Sequence, residues 1–445
     1  MEQSIFKSYD IRGIYPKELN KNDAFKIGQA FIECTKAKKV AVARDSRLSS
    51  EDLLKALAGG ITSLGADVCD IGQVPTECLY FAVGANDFDA GIMITASHNP
   101  KEYNGFKMLK KTGKDINMIR GKDLFSVVES LGENKKRAEK NGSLTKKDFV
   151  QDYIAHISSL VDLSLIKPFS IIVDASNGVA GAVIAKIGDQ LPAKILLLNH
   201  KPDGRFPNHS PNPLLEGSTN QIKNEVLAQK ADFGFIFDGD ADRIFLIDEK
   251  GEMARADVAL LLLAQYFLQK YPKSAIAYNA ICSKAVPEFI KKWQGKPIRT
   301  QVGFINVREG LLKNNGSMGG EMSGHYCFKD NFYMDSGMIT FLVLLQVISE
   351  SNKLVSELSA ELSPYAKSSE INFEVENKGE ILEKIKQKYS NGKQDYLDGV
   401  TVEYQDWWFN IRASNTEPLL RLTIEAESPV LLDVKEKELS DFIKN

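Results

Sequence analysis

The sequence predicts an α/β protein of three successive α/β units followed by a smaller α+β unit. Three observations predict it. Apolar runs of strand length alternate with amphipathic segments of helical period up to about residue 365, the rhythm of βα units. From about 366 the character changes, and INFEV (371–375) alternates with period two. The chain of 445 residues is too long for one ordinary core and suits three or four domains.

In chain order, VAVA (40–43) reads as a buried strand, followed by an amphipathic helix over 51–64 opened by Ser49. DVCDIG (67–72), a helix from Pro75 and AGIMIT (90–95) continue the alternation and predict a parallel sheet. The stretch 132–147, GENKKRAEKNGSLTKK, is polar, highly charged and aperiodic, which makes it a surface connection or a long helix end near a domain boundary. The second unit holds the strand runs in IIVDASNG (171–178), AKILLL (193–198) and FGFIFDGDADRIFLID (233–248), with a proline-rich span, KPDGRFPNHSPNPLL, between the last two. The third has a helix at 257–270, the strand SAIAY (274–278), a helix after Ser283, a segment ending in GGEMSGHYCF (319–328), and an apolar helical pattern over 335–349. The last adds the helical GEILEKIKQKY (379–389), the strands VTVEY and WFNIR, and a helix announced by Ser428-Pro429.

Hydrophobic residues make up 43% and charged residues 26%, a balance that excludes disordered and fibrous classes. A net charge of −3 gives no general attraction for nucleic acid or an anionic membrane, so no partner of either kind is expected. Any anion must be met by locally placed cations and backbone N–H groups. Cys34, Cys69, Cys78, Cys282 and Cys327 are scattered with no CxxC pair, as in a reducing compartment. The first residues carry no apolar segment of signal-peptide length, and the longest apolar run, 258–264, is far too short to span a bilayer. A cytoplasmic protein is expected.

The clearest chemical signal is DGDADR at 238–243. Asp238, Asp240 and Asp242 alternate just past an apolar strand, with Gly239 loosening the backbone, so three carboxylates can converge on a hard cation such as Mg2+. A solvated acidic turn is the plain alternative. A calcium loop is excluded, because Arg243 stands where that loop needs glycine and the flanks read as strands. Mg2+ held by few protein ligands shares its shell with a phosphate. Ser97 in TASHNP (95–100) is the candidate to carry one, since it lies where an apolar strand gives way to a loop. Equally, Ser97 and Asn99 can serve only turn backbone. His98 is a candidate for proton transfer or phosphate contact, or a turn residue. Lys107 can neutralise developing charge, or move a proton if neighbours lower its pKa.

Two further clusters stand out. In GGEMSGH (319–325) Glu321, Ser323 and His325 offer groups for sugar hydroxyls, unless Gly319-Gly320 is only a tight turn. In RASNTEP (412–418) Arg412, Ser414, Asn415 and Thr416, with Arg421, make a cradle for a phosphate dianion. The alternative there is an Asn/Thr-rich hairpin turn.

At these residues the sequence resembles the α-D-phosphohexomutase superfamily, and within it the bacterial phosphomannomutases. The likeness runs nearly end to end through YDIRG (9–13), TASHNP, DGDADR, GEMSGH (320–325) and RASNTEP, five motifs in the family's order. DWWFNIR (406–412) and MDSGM (334–338) are most like the phosphomannomutase branch. The resemblance implies four domains around a central cleft: three α/β domains with mixed sheets at 1–145, 146–250 and 251–365, and a C-terminal α+β domain at 366–445. It implies that Ser97 is a phosphoserine whose phosphate completes the shell of a Mg2+ bound by Asp238, Asp240 and Asp242. Arg12, His98 and Lys107 are then expected at the catalytic centre, and Tyr9, Arg243, Glu321, Ser323 and His325 on the substrate. Arg412, Ser414, Asn415, Thr416 and Arg421 are expected to grip the phosphate that is not transferred.

The implied activity interconverts mannose 6-phosphate and mannose 1-phosphate through a hexose 1,6-bisphosphate, which also serves as activator. Phosphoglucomutase and phosphoglucosamine mutase are alternatives that differ in contacts at C2. A phosphosugar phosphatase and a non-catalytic sugar-phosphate binder are alternatives of other classes, disfavoured by the whole 412–421 cradle and by intact Ser97 with its aspartates respectively. The assembly expected is a monomer or homodimer. One departure matters: TQVGFINV (300–307) resembles a family segment that often carries His after the glycine, and Phe304 stands there instead. That weakens any acid/base or sugar-contacting role for this loop.

Overall fold

The computed structural model describes residues 1–131, 138–414 and 419–444. They gather in two compact units, 1–254 with 323–355 and 255–322 with 356–445.

In the first unit one sheet runs, in spatial order, Ile11–Ile14, Tyr103–Thr112, Ala90–Ile94, Lys39–Arg44, Asp67–Gln73 and Leu144–Lys146, with Asp115–Ile119 beside Tyr103–Thr112. The parallel rhythm read from the sequence holds for the strands at 39–44, 67–73, 90–94 and 144–146. The strands at 11–14, 103–112 and 115–119 pair antiparallel, so the sheet is mixed. Strand Ala90–Ile94 is buried along its whole length, which is why its sequence is a continuous apolar run rather than an alternation. Leu144–Lys146 joins this sheet from within the stretch expected to be a surface connection; residues 132–137 of that stretch lie outside the described residues. Helix Ser50–Thr62 forms close to expectation with Ser49 at its N-cap position, but the Ser49 side chain makes no cap hydrogen bond; its hydroxyl instead accepts from Asn104 Nδ2 at 2.8 Å.

The second sheet of this unit runs Ile244–Ile247, Phe233–Phe237, Ser170–Asp174 and Lys194–Leu198, parallel except for Ile244–Ile247. Helix Gly337–Ser351 is buried from Gly337 through Ser349, and Phe341 packs its ring 5.0 Å from that of Phe235. Burial on all sides explains why this span is apolar around the whole helix apart from Thr340, Gln346 and Ser349. Its N-terminus is satisfied twice: Ser336 Oγ accepts from Ile339 N at 2.9 Å, and Glu77 Oε1 accepts from Met338 N at 3.1 Å. These contacts tie 323–355 to the first unit. Among the described residues no single helix is long and apolar enough to cross a membrane.

The second unit contains a parallel array of Lys296–Thr300, Ala275–Asn279 and Met318–Gly320, with helices Ala256–Lys270, Ala285–Lys292 and Phe304–Asn314. It also holds an antiparallel sheet ordered Ala366–Lys367, Leu419–Ala426, Trp407–Ala413, Val400–Glu403 and Lys393–Asp395, with Ile371–Glu374 also against Leu419–Ala426. One face buries Phe409, Ile411, Leu420, Leu422 and Ile424 with Ile385, Leu439 and Ile443 of helices Lys378–Lys388 and Pro429–Lys444. This is the α+β unit expected from the period-two runs.

Candidate active site

Two loops of the first unit are built alike. Each leaves the end of a fully buried parallel strand and returns at once as an antiparallel neighbour: Ala90–Ile94 passes through 95–102 into Tyr103–Thr112, and Phe233–Phe237 passes through 238–243 into Ile244–Ile247. Both loops therefore lie at the carboxyl ends of central strands, where open α/β sheets bind ligands. Each bends through a non-glycine residue in the left-handed region, Ser97 with φ 49° and Ala241 with φ 66°. The loops touch at Gly239, where a Cβ would stand 2.7 Å from the Ser97 carbonyl oxygen. Glycine permits that approach, and it brings the Ser97 hydroxyl to donate to Asp238 Oδ2 at 2.8 Å. His98 Nδ1 lies 3.1 Å from the same hydroxyl oxygen.

Asp238, Asp240 and Asp242 are all buried, and one carboxylate oxygen from each lies within 4.8 Å of the others. Thr76 Oγ1 and Lys107 Nζ both donate to Asp240 Oδ2, each at 2.7 Å, and Lys107 also pairs with Asp242 Oδ2. Asp240 Oδ1 is left buried without a hydrogen-bond partner. An orphaned carboxylate oxygen beside two more carboxylates fits a hard divalent cation. The charges respond accordingly. Burial, with Asp242 and Asp240 nearby, pushes the Asp238 carboxyl well up. Burial opposes the Asp242 charge too, but Lys107 and His325 hold that carboxyl well down.

The expectation for proton transfer by Lys107 carried the condition of a lowered pKa. Burial does lower it, yet Asp240, Asp242 and Asp335 outweigh burial and hold the ammonium above its usual value. In this arrangement the Lys107 ammonium pairs with both Asp240 and Asp242. His98 is driven well below the usual imidazole value by burial and by Arg243 and Arg12.

Around this centre Arg12 donates from Nε to Asp10 Oδ2 at 2.8 Å and from Nη1 to Ala96 O at 3.3 Å, close enough for Asp240 and Asp242 to stabilise its charge. Arg243 Nε donates to His325 Nε2 at 3.2 Å, and His325 Nδ1 lies 2.8 Å from Ser323 Oγ. Tyr9 is half-buried in the bend before Ile11–Ile14. Ser97, His98, Lys107, Arg12, the three aspartates, Arg243, Ser323 and His325 are thus brought together. Sequence reasoning does not single out Thr76 or Asp335 at this centre. Thr76 follows Pro75, where the sequence predicts only the start of a helix. Asp335 lies 3.9 Å from His325 Nε2, and burial, together with Asp242, pushes its carboxyl up to about 7. Its signal is the MDSGM run, which carries the carboxylate.

In the second unit Glu321 Oε2 accepts from Gly303 N at 2.9 Å and from Asn279 Nδ2 at 3.5 Å, just before helix Phe304–Asn314. Arg412 and Arg421 face each other in register on adjacent strands. Both guanidiniums reach Glu370, a residue that lies in none of the motifs; Arg421 Nη1 does so at 3.3 Å. The Ser414 carbonyl accepts from Lys378 Nζ at 3.4 Å, while Asn415 and Thr416 lie outside the described residues.

Comparison with known proteins bears on all of this. The chain matches the family descriptions of phosphoglucomutase/phosphomannomutase alpha/beta/alpha domain I over residues 3–133, domain II over 151–251 and domain III over 255–365. It matches the C-terminal domain of the same family over 370–439. It is 35% identical over 450 residues to a phosphomannomutase of Escherichia coli, covering 99% of each chain. It is 36% identical over 460 residues to a phosphomannomutase of Vibrio cholerae, covering 100% of this chain and 99% of that one. The crystal structure of a phosphoglucomutase/phosphomannomutase family protein from Burkholderia thailandensis superposes with a TM-score of 0.90 at 32% identity, covering 100% of this chain and 98% of that one.

Proposed function

From the premise that this chain belongs to the phosphoglucomutase/phosphomannomutase family, and so is a phosphohexomutase, we propose that it interconverts mannose 6-phosphate and mannose 1-phosphate through a phosphoserine at Ser97. The observation that carries the reading is the Ser97 hydroxyl, 2.8 Å from one of three converging buried carboxylates, the other two of which pair with Lys107 and lie near Arg12. Two relatives at 35% and 36% identity are named phosphomannomutase, which supports mannose as the preferred sugar.

Phosphoryl transfer depends on positioning and on meeting charge. The sugar's free hydroxyl oxygen forms a bond to the phosphorus while the bond from Ser97 Oγ breaks; the sugar hydroxyl gives up its proton and Ser97 Oγ gains one. His98, whose Nδ1 lies 3.1 Å from Ser97 Oγ, would give or take the proton at that oxygen. Arg12 and Lys107 offset the negative charge of the moving group. Asp238, Asp240 and Asp242 would hold Mg2+, which when bound lowers the charge repulsion between phosphate and nucleophile. The product of the first transfer is a hexose 1,6-bisphosphate; turned end for end, it returns its other phosphate to Ser97. The same compound supplied from outside phosphorylates Ser97 at the start. Ser323, His325 and Glu321 would hold the sugar hydroxyls, and Arg412, Ser414 and Arg421 the phosphate that is not moving.

The test is purified protein with Mg2+, a trace of hexose 1,6-bisphosphate and, separately, mannose, glucose and glucosamine phosphates, followed by phosphorus NMR. Isomerised mannose phosphate is expected, and Ser97→Ala is expected to fold and to lose turnover. Retained flux in that variant removes Ser97 from the mechanism. Inorganic phosphate released as fast as substrate disappears makes the protein a phosphatase.

A further inference from the structure

We propose that Arg47 is a positioning residue that holds the Ser97 loop in its reactive shape. It sits in ARDSRLSS, between strand Lys39–Arg44 and helix Ser50–Thr62, and its side chain is fully buried. All five of its side-chain N–H donors are used. Nη2 donates to the carbonyls of Ser97 at 2.8 Å and Asn99 at 2.6 Å. Nη1 donates to those of Pro100 at 2.6 Å and Tyr103 at 2.9 Å. Nε donates to Asp45 Oδ2 at 3.0 Å, and Asp45 Oδ1 is in turn fixed by Ser50 Oγ at 2.8 Å and Arg47 N at 2.9 Å. The Phe206 ring closes over the guanidinium, 5.3 Å from centroid to carbon.

Residues 97–102 lie between the strands and Tyr103 only begins the next one; apart from Tyr103 N, which donates to the Pro100 carbonyl at 3.0 Å, these four carbonyls look to Arg47. Oxygens aimed at one point repel one another unless a cation with several donors stands among them. The planar guanidinium fork meets that need and a lysine ammonium, with three donors on one atom, does not. The held segment contains the left-handed Ser97, a conformation that persists only where the surroundings over-determine it. Arg47 donates to that residue's own carbonyl and makes no hydrogen bond to the three aspartates, so its hydrogen bonds reach the hydroxyl through the backbone.

The proposal rests on Ser97 as phosphoryl carrier, so Ser97→Ala is assayed alongside. Arg47→Lys is expected to lower kcat about 100-fold, the loss typical of a misplaced reacting group, with KM within about threefold. The kcat is expressed per folded protein, taken from the near-ultraviolet circular dichroism signal. In Arg47→Ala, millimolar guanidinium chloride is expected to restore kcat in a saturable way, and ammonium chloride at equal ionic strength is not. Should both variants fold poorly, Asp45→Asn keeps the guanidinium but loosens its anchor and is expected to lose kcat about tenfold. Near-normal kcat in Arg47→Lys or Asp45→Asn beside an inactive Ser97→Ala overturns the role of Arg47 alone. Flux in Ser97→Ala overturns the carrier instead.

Discussion

The sharpest test of the aspartate cluster is Thr76→Val. Thr76 is buried, its hydroxyl donates to Asp240 Oδ2 at 2.7 Å, and its own N–H donates to the Asp240 carbonyl at 3.0 Å. Valine keeps the shape and the backbone contact and removes one donor. Asp240 Oδ2 is then left with Lys107 alone, while Oδ1 has no donor to begin with. A hydrogen bond to a buried charged group contributes about 1.5–3 kcal/mol. At about 1.4 kcal/mol per decade that is roughly one to two decades in any equilibrium that needs the carboxylate fixed, the range found for residues that orient metal ligands. Two measurements check it. The Mg2+ concentration giving half-maximal turnover is expected to rise about 10- to 100-fold, and the thermal midpoint measured without metal is expected to fall. Thr76→Ser is expected to recover both. A valine variant with unchanged metal dependence and midpoint refutes the claim that this hydroxyl orients Asp240.

Two more expectations follow. Arg412→Ala leaves Glu370 facing Arg421 alone and should raise KM for the phosphosugar about tenfold or more with a smaller change in kcat; an unchanged KM counts against an anion site there. His209 Nε2 lies 3.1 Å from Asp174 Oδ2; burial lowers its pKa, but the bond to Asp174 more than compensates and raises it above the usual imidazole value. A group raised on folding stabilises below its unfolded pKa, and that contribution disappears as pH climbs through the folded one. His209→Asn should therefore destabilise more at pH 5.5 than at pH 8.5 in urea titrations, and an equal loss at both removes the linkage.

Much of the site was legible because its chemistry is concentrated in short runs. The alternation in DGDADR follows from the loop's need to aim three side chains at one place, and TASHNP announces a strand end by its composition. Thr76, Arg47 and Glu370 were illegible for a shared reason. Each acts on a partner far along the chain: Thr76 on Asp240, Arg47 on carbonyls 50 to 56 positions away, Glu370 on arginines 42 and 51 positions away. A single threonine, arginine or glutamate has no local pattern that marks such a contact.

The same division holds for the fold. Hydrophobic period determined where strands such as Phe233–Phe237 and helices such as Ala256–Lys270 form, because burial on one face or all faces is a local demand on side-chain order. It did not determine strand direction. Ser97 owes its place to Tyr103–Thr112 returning antiparallel against Ala90–Ile94, and the two loops meet only because Gly239 lets one backbone approach the other. The sequence by itself thus set which groups are available and which segments are buried. Only the tertiary structure decided which charges face one another, since a carboxylate's state depends on neighbours in space: the same side chain is held down in Asp242 by Lys107 and His325, and driven up in Asp238 by burial and its fellow aspartates.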